Sequence, residues 1–170
     1  KFYLDSRGTD AKDAEQVLSN LSSLPGFYQL YEVTKHEDMQ FESFEANGKT
    51  LENSFVLYEN LHEMDADKEV RRAAAKSFYK TLNAYKNTVA NEYISQLKKE
   101  KMMATMRGYD SVIDYLLDEQ DGDRELYDRQ IRMLMTDLAP HMQRYIKLLA
   151  KEHGISDMQF MDAKINLDPE

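Results

Sequence analysis

Four histidines carry most of the metal chemistry open to this sequence, because it has no cysteine. A zinc hydrolase helix needs His-Glu-x-x-His: two imidazoles four apart meet one ion, and the Glu between them serves as general base. Two half-matches occur. His36-Glu37-Asp38-Met39-Gln40 has glutamine where the second ligand belongs, and His62-Glu63-Met64-Asp65-Ala66 has alanine. Neither side chain replaces an imidazole, so both histidines read as surface residues and no metal ligand is assigned. Glu59-Asn60-Leu61-His62 spells Glu-x-x-His, the unit used twice in four-helix di-iron bundles. Before the other three histidines the matching positions are Val33, Leu138 and Ala150, so a carboxylate-bridged metal pair has only one of its two halves.

Covalent catalysis finds no better footing. Thiol nucleophiles and disulfides are excluded, no Gly-x-Ser-x-Gly elbow is present, and no glycine loop is built for phosphate. The acidic pairs Asp118-Glu119 and Asp121/Asp123 read as solvated turns and helix ends rather than acid/base dyads. Ten methionines, among them Met102, Met103, Met106, Met133 and Met135, fall at helical spacing and read as core filler rather than a plastic groove. No catalytic residue is assigned.

Composition narrows the partners. Of the 170 residues 42% are hydrophobic and 31% charged, the balance of a soluble domain able to bury a core. The formal net charge is −9, and the densest basic run, Lys98, Lys99 and Lys101, is too small to reverse it locally. Phosphate backbones and anionic membranes are therefore poor partners. No apolar stretch approaches the ~20 residues of a membrane span, and the N-terminus has no apolar run of signal-peptide length. A cytoplasmic setting is expected.

The elements that would position these side chains are mostly helices, since three prolines and six glycines leave long stretches unbroken. Ala14, Val17, Leu18, Leu21 and Leu24 predict a helix from about Asp10 to Leu24, stopped by Pro25-Gly26; a short one follows from Phe27 to about Thr34. Between residues 39 and 51 the period changes around Asn47-Gly48, which predicts one small β-hairpin. Glu52 to Leu61 reads as a third helix. Asp65 or Asp67 then caps a long one whose stripe is Val70, Ala74, Phe78, Leu82, Tyr85, Val89, Tyr93 and Leu97, with Arg71, Lys76, Lys80 and Lys86 off the stripe. Arg107-Gly108-Tyr109 breaks it near Met106, and Asp110 or Ser111 caps a shorter helix through Leu117. The last helix runs from Asp123 to His153 with an apolar face of Tyr127, Ile131, Leu134, Leu138, Met142, Tyr145 and Leu149; Pro140 must kink or divide it, and Gly154 sits where a left-handed cap belongs. The tail from Gln159 to Pro169 reads as extended. The fold class is all-α with one small hairpin, and the chain reads as a single helical lobe.

Leu24-Pro25-Gly26-Phe27-Tyr28 is followed by Asp38-Met39-Gln40-Phe41, and then by Asp67-Lys68-Glu69-Val70-Arg71-Arg72-Ala73-Ala74. Tyr85-Lys86-Asn87-Thr88, Arg107-Gly108-Tyr109-Asp110-Ser111 with Tyr115-Leu116-Leu117, Leu138-Ala139-Pro140-His141 with Tyr145, and Leu167-Asp168-Pro169 come after them. In their order, from about Ser19 to the end, these segments resemble the oligoendopeptidase F family of zinc metallopeptidases. The first two are similar to the family's helix break and ribbon, and the third to one of its helix starts.

The resemblance implies a piece of a larger peptidase, its N-terminal to central helical part, with the zinc ligands downstream. No catalytic or metal residue carries over. What it implies for this chain is a non-catalytic wall of a channel that admits short peptides, partnered by the catalytic part of the same enzyme. Zinc is then the parent's cofactor, with none held here. Arg107, Gly108 and Tyr109 are the positions placed near that channel; as plain structure, Arg-Gly-Tyr is a helix–helix corner. A free-standing helical adaptor that binds a partner along an amphipathic groove is the competing reading.

Overall fold

The computed structural model describes residues 11–22 and 26–168. Asp10, Leu24, Pro25 and Pro169 fall outside that range, as do the side chains of residues 11–14 and Ser22. Helix α1 spans Ala11–Ser22 and α2 spans Phe27–Val33, the latter followed by a wide π turn, Thr34–Asp38. Strands β1 (Phe44–Ala46) and β2 (Lys49–Leu51) precede α3 (Phe55–Asn60) and a 3₁₀ turn at His62–Met64. Helix α4 runs Lys68–Arg107, and α5 runs Val112–Asp118. Helix α6 (Arg124–Met133) passes through a π turn, Leu134–Leu138, into α7 (Ala139–Glu152); a final 3₁₀ turn occupies Phe160–Asp162. The fold is mainly helical with a single two-stranded antiparallel sheet among the described residues.

The described residues divide into two compact units, those up to Thr34 with Thr88–Ile131, and Lys35–Asn87 with those from Arg132 onward. In the second, the hairpin pairs Phe44 with Leu51, Glu45 with Thr50 and Ala46 with Lys49. Asn47 and Gly48 stand at φ 50° and 70°, the left-handed pair that a two-residue turn demands and that an Asn-Gly dipeptide adopts most readily. Phe44 and Ala46 face inward and Glu45 outward, so alternation holds only across these three residues. The hairpin is anchored to the start of α4: the Asn47 amide donates to Glu69 at 2.9 Å, and its side-chain Nδ2 donates to Asp67 at 2.7 Å. Asp67 also accepts from the Glu69 N–H at 2.8 Å, which caps α4 and holds the Asp67 carboxyl below its ordinary range.

Around that anchor lies the larger core: Phe44, Ala46, Tyr58, Val70, Ala74, Ala75 and Phe78, with Phe41 and Phe55 packed against it. A smaller cluster of Leu149, Ile155 and Ile165 closes the end of α7. In the first unit Leu18 of α1 packs with Met103 and Ala104 of α4 and Tyr115 of α5. The α4 stripe is buried at Val70, Ala74 and Phe78, but Tyr93 and Leu97 are exposed.

Four expectations need correction. Arg71, placed off the stripe, is wholly buried (0% exposed), because a buried carboxylate faces it. His62 is buried rather than on the surface, its Nε2 2.9 Å from the Glu52 carbonyl oxygen. Met103 is core, whereas Met102, Met133 and Met135 are exposed. The tail is not extended throughout: it folds into a 3₁₀ turn and buries Asp162 and Ile165. The last helix, which Pro140 was expected to kink or divide, is interrupted there: a π turn, Leu134–Leu138, separates α6 from α7. The π turn just before α7 leaves Pro140 in the first turn, where a missing N–H costs least.

Candidate functional site

The corner Arg107-Gly108-Tyr109 is built by the end of α4 and the cap of α5. Helix α4 can end there because Gly108 adopts φ 82°, while the Tyr109 N–H returns to the Ala104 carbonyl at 2.9 Å and the Gly108 N–H to that of Thr105 at 3.2 Å. Ser111 then opens α5, accepting from the Asp114 N–H at 3.1 Å. Arg107 reaches over this turn. Its Nη1 donates to the Tyr115 hydroxyl at 2.9 Å and to Glu119 at 3.1 Å, and its Nη2 donates to Glu15 at 2.9 Å. The Tyr109 hydroxyl donates to Asp118, and its ring lies 5.5 Å from that of Tyr115. Burial, with the Glu119 hydrogen bond behind it, pushes the Tyr115 phenol up to about 12.

Arg107 and Tyr109 thus meet as members of one hydrogen-bonded corner, along with Asp118 and Glu119. Those two acids are bound to Tyr109 and Arg107 rather than left as solvated ends. Asp123 does cap a helix, accepting from the Glu125 N–H at 2.7 Å. What the corner can do is hold α1, α4 and α5 in register. Gly108→Ala should lower stability by about 1–2 kcal/mol, because a Cβ in the left-handed region clashes with the following carbonyl. A thermal melt checks this, and an unchanged midpoint would contradict it.

The second polar cluster was not singled out in the sequence. Asp162 accepts from Arg71 Nη2 at 2.9 Å and Nε at 3.3 Å, from Arg72 Nη2 at 2.7 Å and from the Gln159 N–H at 3.1 Å. Arg72 continues to Asp157 at 2.6 Å, which Lys68 also holds at 2.6 Å. Arg71 Nη1 donates to the Asp65 and Ala66 carbonyls at 2.6 and 2.9 Å, closing the loop before α4. Burial alone would raise the Asp162 pKa, but the donors from Arg72, the Gln159 N–H and Arg71 outweigh it and lower it. Gln159-x-x-Asp162 is the one local signal that could have been read, since it is spaced as a capping box. The arginine partners, some 90 positions upstream, leave no local trace.

Among the described residues no group of three His, Asp or Glu side chains gathers where a metal ion could sit. Nor is any described helix long and apolar enough to cross a membrane.

No family model matches the chain. Individual proteins do. It is 26% identical over 88% of its length to oligopeptidase PepF of Bacillus subtilis, covering 21% of that protein. With the group B oligopeptidase PepB of Streptococcus agalactiae it shares 25% identity over 95% of its length and 27% of that protein. The resemblance to the oligoendopeptidase F family holds. In structure, the chain aligns over 91% of its length with oligoendopeptidase-F from Enterococcus faecium at a TM-score of 0.77 and 21% identity, covering 29% of that chain; at such identity the likeness is one of fold. The chain spans about a quarter of the length of the curated relatives it matches.

Proposed function

We propose that this chain is a non-catalytic helical part of a zinc-dependent oligoendopeptidase, working in the cytoplasm as one wall of a channel that admits short peptides. The observation that carries the reading is the similarity to two oligopeptidases over 88 and 95% of this chain. The residues present do not fit zinc. Neither His-Glu half-match supplies a second imidazole, His62 is engaged with the Glu52 carbonyl, and the described residues bring no third ligand to either. In this reading the ligands belong to other parts of the parent protein.

The partner in this reading is the catalytic part of the same peptidase, and α7 with the turn before it offers it a surface. Leu134, Met135, Leu138, Met142, Tyr145 and Leu148 are all more than a third exposed, an apolar stripe of the kind that monomeric domains bury against something. The Arg107-Gly108-Tyr109 corner would stiffen the wall rather than touch the scissile bond.

The test compares the 170-residue chain with the full-length protein on a quenched fluorogenic peptide in the presence of zinc. Cleavage is expected only from the full-length protein and should stop on adding a chelator. Turnover by the chain alone, or a full-length protein that leaves the peptide intact, would sink the proposal; the second outcome would favour a helical adaptor that uses the α7 stripe to hold a partner.

A further inference from the structure

The tip of the hairpin carries a reactive dipeptide. Asparagine is a thermally labile residue, because its side-chain carbonyl carbon lies within reach of the next backbone nitrogen. A following glycine, with no Cβ, hinders that attack least. Asn47-Gly48 is the one place in the sequence where glycine follows asparagine. Both residues are exposed, and a Cβ built at Gly48 would meet nothing within 4 Å, so the turn is open around its nitrogen. Every other asparagine precedes a residue with a side chain. Asn53, before Ser54, is also buried, its amide donating to the Ala74 carbonyl at 3.0 Å.

The anchor to α4 restrains this side chain. Asn47 Nδ2 donates to Asp67 Oδ2 at 2.7 Å, while Asp67 Oδ1 accepts from the Glu69 N–H at 2.8 Å. The Glu69 carboxylate in turn accepts from the Asn47 N–H at 2.9 Å. Asn47 thus serves two carboxylates, one with its side chain and one with its backbone. We propose that Asn47 is a site of spontaneous deamidation, restrained by the Asp67 hydrogen bond, whose product releases the hairpin from α4. The Gly48 nitrogen bonds to Asn47 Cγ as the Cγ–Nδ2 bond breaks, and ammonia leaves with the Gly48 proton. Water then opens the cyclic imide at one of its two carbonyls. Breaking the bond from the Gly48 nitrogen to Cγ gives aspartate; breaking the bond to the backbone carbonyl gives isoaspartate. Either product puts a carboxylate where the donor stood, facing Asp67 with no proton between them, and like charges at that distance repel. Isoaspartate also adds a backbone carbon to a turn whose two residues stand at φ 50° and 70°. An Asp-Gly pair still suits such a turn, so the aspartate form isolates the effect of charge.

Peptide mapping by mass spectrometry tests it on the full-length protein, incubated at neutral pH and physiological temperature. The small mass gain of an amide turning into an acid should accumulate at Asn47 ahead of every other asparagine. Asp67→Ser keeps a good helix cap but is too short to hold the Asn47 amide, and should speed the gain severalfold. Hydrogen exchange over residues 44–51 reads the consequence. Asn47→Asp should raise exchange there severalfold. Adding Asp67→Asn returns an amide to the pair and still caps α4, so it should restore the wild-type rates. No mass gain at Asn47, an equal rate in Asp67→Ser, wild-type exchange in Asn47→Asp, or unrestored exchange in the double variant would overturn the proposal.

Discussion

Asp162→Ala should destabilise the protein by about 3–5 kcal/mol, because it strands the Arg71 guanidinium as an uncompensated charge in the interior. Arg71 and Asp162 are both 0% exposed, so water cannot take over the lost contacts. Arg72 is less affected, since Asp157 remains to it. Arg71 keeps two carbonyl acceptors, which is why the loss is bounded. Arg71→Met with Asp162→Leu should recover part of the loss, as neither charge is then left alone. A urea unfolding series reads all three; a single-mutant loss below about 1 kcal/mol would contradict the argument.

The same pair sets a pH dependence. Asp162 is held below its ordinary pKa, so its contribution is fully present above the unfolded carboxylate value near 3.9 and is lost as pH falls through the depressed folded value. The stability gap between wild type and Asp162→Asn should therefore be constant above about pH 5 and shrink in acid. A gap that widens on acidification would reverse the sign of the argument.

Phe78→Ala should cost a similar 3–5 kcal/mol, by a different route. The Phe78 ring stacks on Tyr58 at 4.1 Å and on Phe41 at 5.3 Å, and Phe55 meets it edge-on at 5.0 Å. Removing the ring loses its burial and leaves three partners around a hole that the hairpin and α3 cannot fill without breaking their own hydrogen bonds. The urea midpoint should fall with an unchanged slope. Phe78→Leu, which refills part of the volume, should cost clearly less. Equal losses for the two would argue that the aromatic geometry, rather than the cavity, dominates.

Much of this architecture was legible locally. Asn47-Gly48 announced its hairpin, each of two caps was narrowed to a pair of residues from which the structure takes Asp67 and Ser111, and Gly154 ends α7 at φ 61°. Arg107-Gly108-Tyr109 announced a corner. These signals are short-range: each turn or cap is decided by the steric freedom and hydrogen-bonding groups of a few adjacent residues. The π turns were not legible, since nothing in Leu134–Leu138 demands a wider turn until Pro140 has to be accommodated in a continuing helix.

By itself the sequence determined the helical class, the break points, the lack of paired imidazoles and a family likeness carried in the order of its motifs. Only the tertiary structure decided that Arg71 is buried and the α7 stripe is not, and that Asp162 closes an ion-pair cluster. The reason is range. Periodicity reports which residues share a helix face, but whether a face is covered, and whether a charge on it finds its counter-ion, depends on segments dozens of positions away.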